Sequence, residues 1–172
     1  KFWEDGEHGV EALKAVWHRR SVDEDGKTGD GAGIHVEIPK DFFIEKIEVT
    51  GHDYDNAEIC VGMIFLPRND YSAQETCKTI VESELTKNNF SIYGWRQVPV
   101  NPKILGQKAF QTMPEIIQVL FKSNDQNLLD KNLERKLYET RKKIEKKAFQ
   151  LSLNNFYICS ISSKSIIYKG LY

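Results

Sequence analysis

Hydrophobic and polar positions change their period several times along this chain, and each change predicts an element. Ile59-Cys60-Val61-Gly62-Met63-Ile64-Phe65-Leu66 is an unbroken apolar run, the pattern of a strand covered on both faces. Ala73, Cys77, Ile80, Val81 and Leu85 then fall on one face of a helix. Ser72 followed by Glu75 reads as a capping box that opens this helix. Phe90 to Val98 predicts a strand, closed by Pro99 and Pro102. Glu115 to Lys122, rich in Ile and Val, predicts another. Leu133, Leu137, Ile144, Ala148 and Leu151 mark a long helix. Phe156 to Ile161 and Ser165 to Tyr168 read as two strands of a hairpin around Ser162-Ser163-Lys164.

From Glu58 to Ile161 the order is therefore strand, helix, strand, strand, helix, strand. That β-α-β-β-α-β order is ferredoxin-like, and it predicts two helices on one face of an antiparallel sheet. Ahead of it, Val10, Leu13, Val16 and Trp17 give helical spacing over Gly9 to His18. Thr28-Gly29-Asp30-Gly31-Ala32-Gly33 follows, with three glycines and one acid. Glycine costs about 0.5–1 kcal/mol relative to alanine inside a helix or strand, so this composition suits a turn or a close backbone approach. A strand over Gly33–Ile38 comes next and stops at Pro39, Asp41-Phe42-Phe43 begins a short helical turn, and Thr50 to Asn56 reads as a surface loop. The class is α+β. One compact domain is expected, in two pieces: 1–57 with the helix, glycine loop and strand, and 58–172 with the ferredoxin-like unit and C-terminal hairpin.

Composition narrows the function classes. The chain has 172 residues, 40% hydrophobic and 28% charged, with a formal net charge of −1. That is enough for a packed core, and nothing in the charge balance points to nucleic acid or a membrane surface. No apolar run approaches the roughly 18 residues of a membrane span, and no signal-peptide pattern stands at the start. Cys60, Cys77 and Cys159 sit among apolar neighbours with no metal or redox spacing, so they read as buried thiols of a reducing, cytoplasmic setting. The start at Lys1 reads as that of a processed product or of a portion of something longer.

Motifs taken singly name no reaction. The glycine loop lacks the Lys-Ser/Thr ending of a phosphate-binding P-loop and precedes a strand instead of a helix, so a structural turn is the stronger reading. His8, His18, His35 and His52 show no zinc-helix spacing. His52-Asp53-Tyr54-Asp55 reads either as a weak metal loop or as an exposed polar loop. A Gly-x-Ser-x-Gly elbow is absent from the sequence. Arg135, Lys136, Arg141, Lys142, Lys143, Lys146 and Lys147, interleaved with Glu134, Glu139 and Glu145, read as a solvated helix face or a contact for an acidic partner. Glu139 and Lys143 form a helix-supporting pair four residues apart.

The order of the pieces says more than any one of them. A helix runs into Trp17-His18-Arg19. Asp25-Gly26-Lys27-Thr28-Gly29-Asp30-Gly31-Ala32-Gly33 and Ile38-Pro39-Lys40-Asp41-Phe42-Phe43 follow. Later come Val61-Gly62-Met63-Ile64-Phe65-Leu66-Pro67-Arg68, Gly94-Trp95-Arg96-Gln97-Val98-Pro99-Val100 and Leu105-Gly106. Leu133-Glu134-Arg135-Lys136-Leu137-Tyr138, Phe156-Tyr157-Ile158-Cys159-Ser160-Ile161-Ser162-Ser163 and Ile167-Tyr168-Lys169-Gly170-Leu171 complete the series. The joint pattern, over essentially the whole chain, resembles the class II glutamine amidotransferase domain at the start of the large subunit of glutamate synthase.

The resemblance implies a portion of an N-terminal-nucleophile hydrolase (αββα) domain that contains the ferredoxin-like unit. It implies hydrolysis of glutamine to glutamate and ammonia, the ammonia serving glutamate synthesis from 2-oxoglutarate. It implies FMN and an iron–sulfur cluster in later domains, with none bound by this chain. The implied partners are the remainder of the large subunit, the small subunit, and glutamine as substrate of the complete domain. In such enzymes the thiol of an N-terminal cysteine attacks the amide and the free α-amino group can act as base. That cysteine lies upstream of the first helix, and Cys60, Cys77 and Cys159 do not match its position. The chain is therefore expected to be inactive alone. Arg19 matches the arginine beside the nucleophile and is the single active-site position carried over. Arg20 stands where the family has glycine. The competing reading is a non-catalytic ferredoxin-like binding or assembly module.

Overall fold

The computed structural model describes residues 2–16, 18, 21–29, 31–128 and 130–170. Its elements are α1 (Phe2–Ala15), β1 (Ala32–Glu37), α2 (Lys40–Val49), β2 (Ile59–Leu66), α3 (Tyr71–Lys87), β3 (Phe90–Gln97), α4 (Gln107–Thr112), β4 (Glu115–Ser123), α5 (Asp130–Gln150), β5 (Tyr157–Ser162) and β6 (Ser165–Gly170). They form one sheet in the order β3-β4-β2-β5 and a second, two-stranded sheet of β1 and β6. Two compact units result. One comprises Lys1–Val36, Pro99–Met113 and Ile167–Tyr172, and the other Glu37–Val98 and Pro114–Ile166.

The larger unit is built around β2. Every residue of β2 is buried, and it pairs antiparallel with β4 on one side and β5 on the other. Because side chains alternate across a strand, Cys60, Ile64 and Leu66 point to one face. There they join Cys77, Ile80, Val81 and Leu85 of α3 and Leu133, Leu137 and Ile144 of α5 in a single apolar cluster. Burying a side chain of this size is worth about 1.5–3 kcal/mol, so this layer dominates the unit's stability. Ile59, Val61, Met63 and Phe65 take the opposite face and are equally buried. Continuous apolarity in β2 thus reflects cover on both sides. On α2, Phe43 and Ile47, four residues apart, are fully buried. This helix is longer than the single turn expected at Asp41.

Where the structure departs from the sequence reading, local chemistry gives the reason. The cap of α3 is Asp70, whose side chain accepts from the Ala73 N–H at 2.9 Å; Ser72 lies inside the helix. Helix α1 begins at Phe2, well before Gly9. Leu151 falls beyond α5 and is exposed. Lys143 donates to Asn88 Oδ1 at 2.6 Å, and Glu139 pairs with Arg135 at 3.0 Å, so the expected Glu139–Lys143 pair is replaced.

The C-terminal strands are not a hairpin. β5 pairs with β2, whereas β6 belongs to the sheet with β1. The connector is held away from a hairpin turn on both sides. Glu134 of α5 accepts from the Ser163 N–H (2.7 Å) and hydroxyl (2.9 Å) and from the Ser162 hydroxyl (3.0 Å). The Lys164 carbonyl accepts from the Ile38 N–H at 3.0 Å.

Candidate functional site

Just ahead of the glycine-rich Thr28–Gly33 stretch, residues 22–29 fold into a turn stabilised by Asp25. Val22 and Gly29 form an antiparallel bridge, and the Asp23 N–H donates to the Thr28 carbonyl at 2.8 Å. At the tip, Gly26 has φ +68°, a left-handed conformation that glycine adopts without a Cβ penalty. Asp25 Oδ1 accepts from the N–H groups of Lys27 (2.9 Å) and Thr28 (2.6 Å), and Oδ2 accepts from the Thr28 hydroxyl (2.5 Å). This is an Asx-type turn, in which a short carboxylate replaces a backbone acceptor. Donation from the Thr28 hydroxyl, reinforced by the two N–H groups, lowers the Asp25 pKa to about 2.

A distant segment seats against this turn. The backbone of Gly106 lies so close that a Cβ there would fall inside the contact radius of Thr28 Oγ1 and Asp25 Oδ2, and 2.7 Å from Thr28 N. Lys108, one residue into α4, donates to Asp23 Oδ2 at 2.8 Å. That hydrogen bond holds the Asp23 carboxyl below its ordinary pKa and raises the lysine above its own. Gly106 therefore packs against the Asp25–Thr28 turn, a relation no local periodicity announces.

Arg19, Arg20 and Asp30 lie outside the described residues. His18 is exposed. Cys60, Cys77 and Cys159 are buried free thiols. Burial pushes the Cys60 thiol far above its ordinary pKa and that of Cys77 to about 11, so both stay protonated near neutrality. In the His52–Asp55 loop, Asp55 accepts from Tyr93 Oη at 2.7 Å and pairs with Lys122, and these contacts hold its carboxyl below the usual range. Among the described residues no three His, Cys, Asp or Glu side chains gather as metal ligands. No helix among them is long and apolar enough to cross a membrane.

Sequence reasoning missed the polar groups that brace the larger unit. Tyr93 is the extra residue of a β-bulge in β3, where the register shifts between Ile92 and Gly94. Its carbonyl accepts from Thr50 Oγ1 at 2.9 Å. Arg96 donates to the fully buried Gln118 at 2.7 Å and lies 5.0 Å from the Phe42 ring. Of these, only Arg96, in the Gly94–Val100 motif, and Phe42, in the Ile38–Phe43 motif, had been marked by the sequence.

The chain is similar to the glutamate synthase [NADPH] large chain of Azospirillum brasilense, 51% identical over 96% of this chain and 11% of the relative. It is 40% identical to ferredoxin-dependent glutamate synthase 1, chloroplastic/mitochondrial, of Arabidopsis thaliana, over 93% of this chain and 10% of the relative. With the ferredoxin-dependent glutamate synthase of Pyropia yezoensis it shares 37% identity over 94% of this chain and 10% of that protein. The chain thus spans about a tenth of the length of these curated relatives. The family of class II glutamine amidotransferases matches residues 6–172, so the motif order and a family-wide pattern agree over nearly every residue, and the chain belongs to the class II glutamine amidotransferases.

Proposed function

We propose that this chain is part of the glutamine amidotransferase domain of a glutamate synthase large subunit. In this reading the complete domain hydrolyses glutamine to glutamate and ammonia, and the ammonia is used to make glutamate from 2-oxoglutarate. The observation that carries it is the 51% identity to a glutamate synthase large chain over 96% of this chain. Within the αββα hydrolase architecture, we read the larger unit as ferredoxin-like. Its β-α-β-β-α-β order and its antiparallel strand order β3-β4-β2-β5 support that reading.

The chemistry follows from the resemblance. The sulfur of an N-terminal cysteine attacks the glutamine amide carbon, while the thiol proton passes through the α-amino group to the departing ammonia. Water then cleaves the thioester and releases glutamate and the thiol. Hydrogen-bond donors stabilise the oxyanion in each half. The three cysteines of this chain do not serve as that nucleophile, because they are buried. Arg19 stands beside the nucleophile in this reading. In this reading FMN and the iron–sulfur cluster belong to other domains of the same polypeptide. The remainder of the large subunit and the small subunit are the proposed partners. The three free thiols support a reducing, cytoplasmic setting.

Ammonia release from glutamine tests the reading. The full-length protein should release ammonia, and Arg19→Ala should sharply lower the rate. The isolated 172-residue chain should release none. A full-length protein without glutaminase activity would reject the enzyme reading in favour of an assembly module. Release by the isolated chain, abolished by Arg19→Ala, would overturn its proposed inactivity.

A further inference from the structure

Helix α5 carries eight Lys and Arg residues against four Asp and Glu, in a chain whose formal net charge is −1. Its buried stripe is Leu133, Leu137, Thr140, Ile144 and Ala148. Successive residues turn by about 100°, so the ridge directly opposite that stripe is Lys131, Arg135, Tyr138, Lys142, Lys146 and Phe149. All six are exposed, Phe149 at 84%. The ridge runs the length of the helix, about 27 Å at 1.5 Å per residue, and holds no acid.

The acids of α5 are already engaged elsewhere. Asp130 pairs with Lys164 at 3.0 Å, and Glu134 accepts from the Ser163 N–H at 2.7 Å. Glu139 takes Arg135 at 3.0 Å, and Glu145 takes both Arg141 and Lys142 at 2.7 Å. On the side toward α3, Glu84 is shared by Lys147 and Lys87. Lys131 and Lys146 have no ion-pair partner among the described residues, so the ridge keeps a net positive charge. Aromatic side chains and arginine are the residues enriched where proteins meet. Here two exposed aromatics share one ridge with four cations, and Lys142 Nζ lies 5.7 Å from the Tyr138 ring centroid.

We propose that this outer ridge of α5 is a docking surface for an acidic face of another domain of the same polypeptide. The proposal rests on the glutamate synthase reading above. This chain spans about a tenth of the length of its relatives, so in that reading most of the polypeptide lies outside it. A tethered domain meets the ridge at an effective concentration in the millimolar range, where a modest charged contact is well populated. Charge complementarity selects an acidic face, and the aromatics supply the apolar contact within it. Nucleic acid fits less well, because a chain that is negative overall repels an extended polyanion.

The test is zero-length carbodiimide cross-linking of the full-length protein, which joins a lysine to a carboxylate in direct contact, read by peptide mass spectrometry. Lys131, Lys142 or Lys146 should be joined to Asp or Glu of a segment outside residues 1–172, and the product should fall as salt is raised. The double variant Lys142→Glu, Lys146→Glu should lose the remaining Lys131 product and leave Tyr138 and Phe149 more readily oxidised by hydroxyl radicals. Tyr138→Ala with Phe149→Ala keeps every lysine and should lower the same cross-links. These side chains point away from the core, so far-UV circular dichroism should be unchanged in both variants. Cross-links confined to residues 1–172 would overturn the proposal. So would products that join two copies in a mixture of light and heavy isotope-labelled protein. Protection of the ridge that nuclease treatment removes would reject it in favour of nucleic acid. Glutaminase activity without any outside cross-link rejects the docking surface and keeps the amidotransferase reading. Cross-links in a full-length protein without that activity do the reverse.

Discussion

Gly94→Ala offers a quantitative test of how β3 is held. Gly94 has φ +154°, a backbone region that residues with a side chain rarely adopt. Forcing alanine into it costs about 1–3 kcal/mol. A second cost comes from Thr50, because a Cβ at Gly94 would lie 2.8 Å from Thr50 Cγ2 and 3.1 Å from its Cβ. Thr50 cannot readily withdraw, since its hydroxyl donates to the carbonyls of Ile47 (2.6 Å) and Tyr93 (2.9 Å). Overpacking of this kind adds about 1–3 kcal/mol, for a total of about 2–6 kcal/mol. That is a large share of the 5–15 kcal/mol typical of a whole domain. Thr50→Ser supplies the control, because it deletes the nearest atom and keeps both hydrogen bonds. The double variant should recover most of the steric share and leave the backbone share. Equilibrium urea unfolding of the chain, followed by tryptophan fluorescence, reads both, with Trp95 adjacent to the change. A Gly94→Ala variant within about 0.5 kcal/mol of wild type, the range of an ordinary surface substitution, would refute the reasoning.

Two further outcomes follow from titratable groups. Because the Thr28 hydroxyl and two N–H groups depress the folded-state pKa of Asp25 from its ordinary value to about 2, the turn is stabilised above pH 4 or so and loses that contribution as the pH falls toward 2. NMR titration of the Asp25 carboxyl, together with the Thr28 amide, should show this midpoint; a midpoint at an ordinary carboxylate value would mean the three donors do not act on it. The buried thiols should resist an aromatic disulfide reagent at pH 7.5 in the folded chain and react fully in urea. Rapid labelling of any of the three in the native state would contradict their burial.

Much of the fold was legible because it depends on local pattern. The continuous apolarity of residues 59–66 required a strand covered on both faces, and β2 is one. Leu133, Leu137, Ile144 and Ala148 carried the period of α5 and form its buried stripe. The composition of Thr28–Gly33 called for a turn or a close backbone approach, and Gly31 within it has φ +95°. Choices among similar local alternatives were less legible. Asp70 and Ser72 both make good caps, and the geometry chose Asp70, which reaches the Ala73 N–H. The six residues of α4 are too short to show a helical period.

By itself the sequence determined the family, through the order of motifs that individually mean little, and it determined most strands and helices, because burial on one or both faces leaves a periodic trace. Only the tertiary structure decided which strands pair and which distant residues touch. Ser162-Ser163-Lys164 looks like a hairpin turn in isolation, but its hydrogen bonds go to the Glu134 carboxylate and come from the Ile38 N–H, and β5 and β6 join different sheets. Gly106 looks like an ordinary glycine until the Asp25–Thr28 turn is found against it. Pairing and close approach are properties of residues far apart along the chain, and no periodicity within either segment encodes the identity of its partner.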